Sequence, residues 1–324
     1  MMSSGFFDWR DLPFPVPWHE ILGSQGPLFV EIGFGSGEFM AWLLERHPEA
    51  AVVGFEVSEG SIRRALRRLD KVSGARYALL HMDARAGLRH LFSPVSIDRI
   101  FVNFPDPWPK KRHEKRRLFY PPFWALVASR LKLGGSLQLY TDEISYLFWV
   151  LEQSQEVPEL EVHWEATRSY PKTRYAQKWE SAHKEIYRLE AVKVREAPYN
   201  FPCLPKDEAM PNVVLKPREG QTLSALVQGI GPLKTTGGID LIIPKAYLSI
   251  DGQEALFEVF LKEQGLDQRY FIVVRRMGEK IVVRIHDATR VAVTPGVKMS
   301  VRLIGDQLQR RGCELLQSTV EVIR

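Results

Sequence analysis

The sequence predicts an α/β fold: a Rossmann-like sheet with helices on both faces, plus a smaller α+β or β-rich C-terminal domain. Three observations predict it. Short apolar runs alternate with segments of helical spacing from residue 28 to about 193, the pattern of βαβ units. The first run leads into Glu31-Ile32-Gly33-Phe34-Gly35-Ser36-Gly37, a strand, glycine turn and helix opening. Carboxylates (Glu31, Glu56, Asp83, Asp106, Asp142) then fall at the carboxyl ends of successive predicted strands, the edge where such sheets bind ligands.

The chain has 324 residues, which points to two domains. We expect a first domain over 1–195, a Pro-rich linker over 196–220 and an accessory domain over 221–324. A hydrophobic fraction of 45% and a charged fraction of 26% match an ordinary globular protein. The net charge of +5 is too small to imply a polyanionic partner by itself, so clustering of charge matters more. Cys203 and Cys313 lie far apart and imply neither a disulfide framework nor a zinc site, and no metal is expected. No apolar run approaches the roughly 20 residues that span a bilayer, and the N-terminus does not read as a signal peptide. The expected compartment is the cytoplasm, with no membrane partner.

Residues 1–27, rich in Pro and aromatics, are expected to cover the core irregularly. Leu28 to Ile32 is the first strand. Phe39, Met40, Leu43 and Leu44 have helical spacing, and Pro48 lies just past the end. The glycines are spaced G-x-G-x-G, not as the dinucleotide fingerprint, and Glu31 stands before them. A carboxylate there repels a pyrophosphate and suits a cationic ligand, which favours S-adenosylmethionine over NAD. Ala51 to Val57 is the second strand, and Glu56 lies near the spacing that reaches ribose hydroxyls. Ser58 caps the next helix, whose outer face carries Arg63, Arg64, Arg67 and Arg68. Such a face is either solvated or in contact with RNA.

Arg76 to His81 is the third strand, followed by Asp83-Ala84. The fourth, 98–103, delivers Phe104-Pro105-Asp106-Pro107-Trp108-Pro109 and then a basic run from Lys110 to Arg117 opposed only by Glu114. Prolines fix the backbone around Asp106 and Trp108. A carboxylate and an aromatic ring beside dense cationic charge suggest a pocket for a base next to a groove for phosphates. A helix over 119–131 stops at Gly134-Gly135, strand 136–140 ends at Thr141-Asp142, and 144–151 is helical. Strands near 160–165 and 186–193 close the sheet, with an aromatic, polar loop around 170–175 between them. In the C-terminal part, Glu254 to Gln264 has the spacing of an amphipathic helix. Strands are expected over 270–275, 280–285, 291–293 and 297–303.

Residues from about 28 to 193 resemble the bacterial tRNA (guanine-N7-)-methyltransferase family. The matching pieces are the glycine turn, Gly54-Phe55-Glu56-Val57, Asp83-Ala84, the block from Phe104 to His113 with Lys115-Arg116-Arg117, Thr141-Asp142 and Thr173-Arg174-Tyr175. The resemblance implies a class I S-adenosylmethionine-dependent methyltransferase acting on N7 of the guanosine at position 46, in the variable loop of tRNA. It implies cofactor contacts from Glu31, Gly33, Gly35, Gly37, Glu56, Asp83, Ala84 and Asp106, with Asp106 also catalytic. Lys110, Asp142 and the loop Thr173, Arg174 and Tyr175 then meet the guanine, and Arg112, Lys115, Arg116 and Arg117 hold RNA. The family commonly has Glu after that aromatic, where this chain has Ala176; Glu180, one turn later if the segment is helical, is the substitute. A methyltransferase acting on an exocyclic amine and an inactive RNA-binding homologue are the rival readings. The assembly expected is a monomer or weak homodimer.

Overall fold

A computed structural model describes residues 5–168 and 185–320. The chain divides into two compact units, Met1–Cys203 and Leu204–Arg324. In the first, β1 (Gly5–Phe7), α1 (Trp18–Leu22), β2 (Leu28–Ile32), α2 (Glu38–Arg46), β3 (Ala51–Glu56) and α3 (Glu59–Leu69) come first. They are followed by β4 (Tyr77–His81), α4 (Ala84–Leu91), β5 (Ile97–Asn103), α5 (Pro121–Arg130), β6 (Leu131–Thr141), α6 (Ile144–Ser154), β7 (Leu160–Thr167) and β8 (Ile186–Lys193). The sheet runs β1-β4-β3-β2-β5-β6-β8-β7. Neighbours are parallel as far as β6, and β8 is antiparallel to both β6 and β7.

The expected α/β architecture is present. Every residue of β2 is buried, as a parallel strand covered on both faces requires. Phe29, Phe39 and Phe101 pack edge to face between that sheet and α2. Gly54 is required inside β3, because a Cβ there would sit 2.6 Å from the Phe34 ring. Two local expectations need correction. Residues 1–27 are not wholly irregular: β1 adds a parallel edge strand to β4. The α5 helix ends at Arg130, not at Gly134-Gly135, which lie inside β6; Leu131 is already extended, and its carbonyl accepts from the buried Lys193 Nζ at 2.9 Å.

The second unit holds β9 (Asn212–Lys216), α7 (Leu223–Val227), β10 (Leu233–Thr235), β11 (Ile239–Ile243), β12 (Ala246–Leu248) and β13 (Glu254–Glu263). It continues through β14 (Leu266–Met277), β15 (Lys280–Ile285), α8 (Pro295–Arg310) and β16 (Glu314–Ser318). The antiparallel sheet runs β10-β11-β13-β14-β15-β9-β16, with β12 on β13. Three expectations fail here. Glu254 to Gln264 is a strand, in register with β14 along its length, so Ala255, Phe257, Val259 and Leu261 face the core by alternation. Residues 297–303 belong to α8, where Val297, Val301, Ile304 and Leu308 form one buried stripe. Residues 291–293 form no strand, and only Val293 makes an isolated bridge, to Asp207. The linker over 196–220 is also corrected. Phe201 is tied to the first unit through the buried Arg130, whose Nη2 donates to the Phe201 carbonyl at 2.7 Å. Pro211 and Pro217 bracket β9, which lies between β15 and β16.

Candidate active site

The strand order reverses between β2 and β5, so two loops leaving neighbouring strands diverge and open a crevice at the carboxyl edge of the sheet. The glycine turn follows β2, and the proline turn follows β5. Together they line a cleft of about 1020 Å³ that includes Glu31, Gly33, Gly35, Glu56, Asn103 and Asp106. A recess of about 180 Å³ lined by Asp83, Ala84, Arg116 and Leu118 shares Gly33 and Glu56 with it.

The floor of the cleft is fixed by backbone. Gly33, Gly35 and Gly37 have φ of 74°, 53° and 74°, the left-handed region that side chains other than glycine rarely occupy. The Gly33 N–H donates to the Phe55 carbonyl at 2.8 Å, and the Gly35 N–H donates to Glu56 Oε2 at 3.0 Å. Glu56 Oε1 accepts from the N–H groups of Val57 and Ser58 at 2.8 and 2.9 Å. A carboxylate has about four acceptor sites, so Glu56 retains capacity for a hydroxyl.

Glu31 is only 2% exposed. Asn103 Nδ2 donates to Glu31 Oε1 at 3.4 Å, while Glu31 Oε2 and Asn103 Oδ1 are buried with no hydrogen-bond partner among the described residues. Burial pushes the Glu31 carboxyl up to about 8; the Asn103 hydrogen bond opposes this, and the charges of Glu56 and Glu38 add to it. Two orphaned acceptors beside a buried carboxyl call for a ligand with cationic N–H donors. The α-ammonium of S-adenosylmethionine meets that requirement, and its ribose hydroxyls suit Glu56. The acceptor set of the cleft therefore fits this cofactor.

The rim is built differently. Phe104 and Trp108 have φ of 51° and 42°, a strained conformation for aromatic residues that persists only where the surroundings impose it. Arg117 supplies much of that constraint. Its Nε donates to the Pro107 carbonyl at 2.9 Å and its Nη2 to the Trp108 carbonyl at 3.2 Å. Its guanidinium lies 4.6 Å from the Trp149 ring centre. Arg116 sits 4.8 Å over the Trp108 ring. Asp106 is thereby held exposed at the mouth of the cleft. The Tyr146 hydroxyl is buried without a hydrogen-bond partner among the described residues; burial raises its pKa, the Arg117 charge opposes this, and the Asp106 charge adds to it.

The structure brings Glu31, Gly33, Gly35, Glu56 and Asp106 to one cleft, and Asp83 and Ala84 to its recess. Gly37 shapes the turn, 3.0 Å from Ala65 by its would-be Cβ, without lining the cleft. Asp83 has a partner of its own. It caps α4 by accepting from the Arg85 N–H at 2.8 Å and pairs with the Arg85 side chain at 2.6 Å. Burial raises its pKa, but the Arg85 bonds and charge outweigh that and leave it lowered. Lys110, Arg112 and Lys115 are exposed beside the turn, whereas Arg117 is half-buried and spent on its carbonyls. Asp142 stands just past β6. Thr173, Arg174 and Tyr175, with Ala176 and Glu180, lie outside the described residues. Sequence reasoning missed Asn103 as the partner of Glu31, although it ends β5 one residue before the proline turn. It also missed Tyr146, which lies in the first turn of α6, just after Asp142.

Comparison with known proteins follows the same lines. The family model described as "Putative methyltransferase" matches residues 25–189. The tRNA (guanine-N(7)-)-methyltransferase of Thermus thermophilus is 33% identical over 94% of this chain and 96% of its own length. The protein of that name from Thermotoga maritima is 33% identical over 92% and 95%. Both alignments take in most of the C-terminal unit, which the sequence reading had left outside the resemblance. Among solved structures, Haemonchus contortus phosphoethanolamine N-methyltransferase 2, in complex with S-adenosyl-L-methionine, is 16% identical over 53% of this chain and 50% of its own, with a TM-score of 0.38. By family model, by identity and by coverage, the chain belongs to the bacterial tRNA (guanine-N(7)-)-methyltransferase family.

Proposed function

We propose that the chain methylates N7 of the guanosine at position 46, in the variable loop of tRNA, with S-adenosylmethionine as methyl donor. It acts in the cytoplasm as a monomer or weak homodimer, away from membranes. The observation that carries the reading is the pairing of two orphaned acceptors, Glu31 Oε2 and Asn103 Oδ1, with a strained turn that presents Asp106 over the same cleft.

When bound, S-adenosylmethionine supplies an electrophilic sulfonium methyl. Guanine N7 has an in-plane lone pair and carries no proton, so no general base has to create the nucleophile. The chain's task is to align N7 and exclude water, an effect of proximity and orientation. Glu31 and Asn103 hold the ammonium, and Glu56 takes ribose hydroxyls. Asp106 and Asp142 accept from the N1–H and amino group of guanine and offset the positive charge that develops on the purine. Lys110, Arg112 and Lys115 attract phosphates, while Arg116 and Arg117 hold the turn in place. Thr173, Arg174 and Tyr175 contact the guanine, as the family resemblance implies.

Nucleoside analysis of unmodified tRNA incubated with the chain tests the reading. It predicts 7-methylguanosine, with borohydride and aniline cleaving the strand in the variable loop. A methylated exocyclic amine, which leaves the strand intact, would overturn it.

A further inference from the structure

The α3 helix has a face that the chemistry above does not use. Arg64, Arg67 and Arg68 lie on it at helical spacing, Lys71 follows in the turn just past its end, and all four are exposed. With Ser36 and Glu38 they line a groove of about 500 Å³. Ser36, Glu38 and Arg64 also line the cofactor cleft, so the groove is continuous with it.

Three of the four cations are not neutralised in place. Glu38 is the acid of the groove, and Arg68 takes it at 3.1 Å while also donating to the Ser36 carbonyl at 3.0 Å. Arg64 bonds the Ser61 hydroxyl and Arg67 the Arg63 carbonyl, both uncharged. Arg64, Arg67 and Lys71 make no ion pair among the described residues. Asp70, beside Lys71, accepts from the Tyr77 hydroxyl at 3.0 Å. Arg63 behaves otherwise and pairs with Glu59 at 3.8 Å. Like charges three and four residues apart each cost a few tenths of a kcal/mol on a helix. The helix dipole favours cations in the last turn but fades within it, so it does not account for Arg64. A concave strip of unneutralised cations opening onto the cleft is suited to a polyanion.

We propose that this groove binds backbone phosphates of the RNA substrate, as a cationic contact additional to the run from Lys110 to Arg117. The inference rests on the proposed tRNA activity. Arg68 ties the strip to the glycine turn, and the other three cations remain for phosphate.

The test compares the full-length wild type with Arg67→Gln/Lys71→Gln and with Arg63→Gln. Affinity for unmodified tRNA is measured from about 50 to 200 mM salt, and S-adenosylmethionine affinity alongside. Each lost phosphate contact lowers the slope of log affinity against log salt by about 1. The double variant should therefore bind tRNA more weakly, with a slope smaller by about 2 and unchanged cofactor affinity. Arg63→Gln should match the wild type. A double variant with the wild-type slope would overturn the groove, as would an equal slope change in Arg63→Gln. A wild type that binds tRNA but forms no 7-methylguanosine would overturn the activity instead, leaving the slopes to judge the groove.

Discussion

The floor and the rim of the cleft solve different problems. The floor is backbone: left-handed glycines, with Glu56 held by three N–H groups. It is made before any ligand arrives. The rim is side chain: Arg117 and Arg116 hold a strained turn so that Asp106 stays exposed. A small ligand that is the same in every cycle suits a rigid, buried floor with fixed acceptors. A large, charged substrate needs an open mouth with cations on view. The contrast also separates residues of one charge: of the arginines in a single basic run, Arg117 is a brace and Arg112 is exposed.

The largest break in this comparison should come from Glu31→Gln. Truncating one partner of a buried charge pair costs about 2–5 kcal/mol, so cofactor affinity should fall 30-fold or more in titration calorimetry. The same residue carries a pH signature. Its folded pKa, about 8, is raised above the ordinary 4.5, so its contribution to stability is full below 4.5 and is lost as pH rises through 8. Melting temperature against pH should show that loss in the wild type and not in Glu31→Gln. Binding a cation there favours the ionised form, so cofactor binding near pH 7 should release a proton. Binding heats that do not vary with buffer would refute this.

Arg117→Ala comes next. Losing hydrogen bonds from a charged donor to two carbonyls costs about 1–3 kcal/mol, and the turn should relax. A brace predicts a fall in kcat with little change in the salt dependence of tRNA binding. A phosphate ligand predicts the reverse. The smallest effect should come from Lys110→Gln/Lys115→Gln, which should lower the salt slope by about 2 while single-turnover rates at saturating tRNA hold. An unchanged slope would remove these two lysines from the RNA contact.

The first unit was legible because its signals agree. Apolar runs set the strands, glycines the turn, prolines the rim, and each carboxylate fell at a strand end. What escaped was pairwise geometry. No spacing rule connects Asn103 to Glu31 across 72 positions; the parallel register of β2 and β5 does so. The second unit misled because its apolar residues satisfy two periods. Leu256, Phe257, Phe260 and Leu261 suit a helical face, but pairing with β14 along its length decides for a strand. In α8 the helical signals were present, Pro295 at the start and Val297, Val301, Ile304 and Leu308 in register, yet the β-branched content favoured a strand locally. Prolines around β9 read as a linker although they flank the strand without interrupting it.

The account turns on Asp106 acting in the chemistry and not in assembling the complex. The decisive measurement is the single-turnover rate of methyl transfer by Asp106→Ala, at saturating cofactor and tRNA, beside both dissociation constants. The account predicts a rate lower by about a hundredfold or more, with both constants within about twofold of the wild type. A rate within about tenfold of the wild type would contradict it.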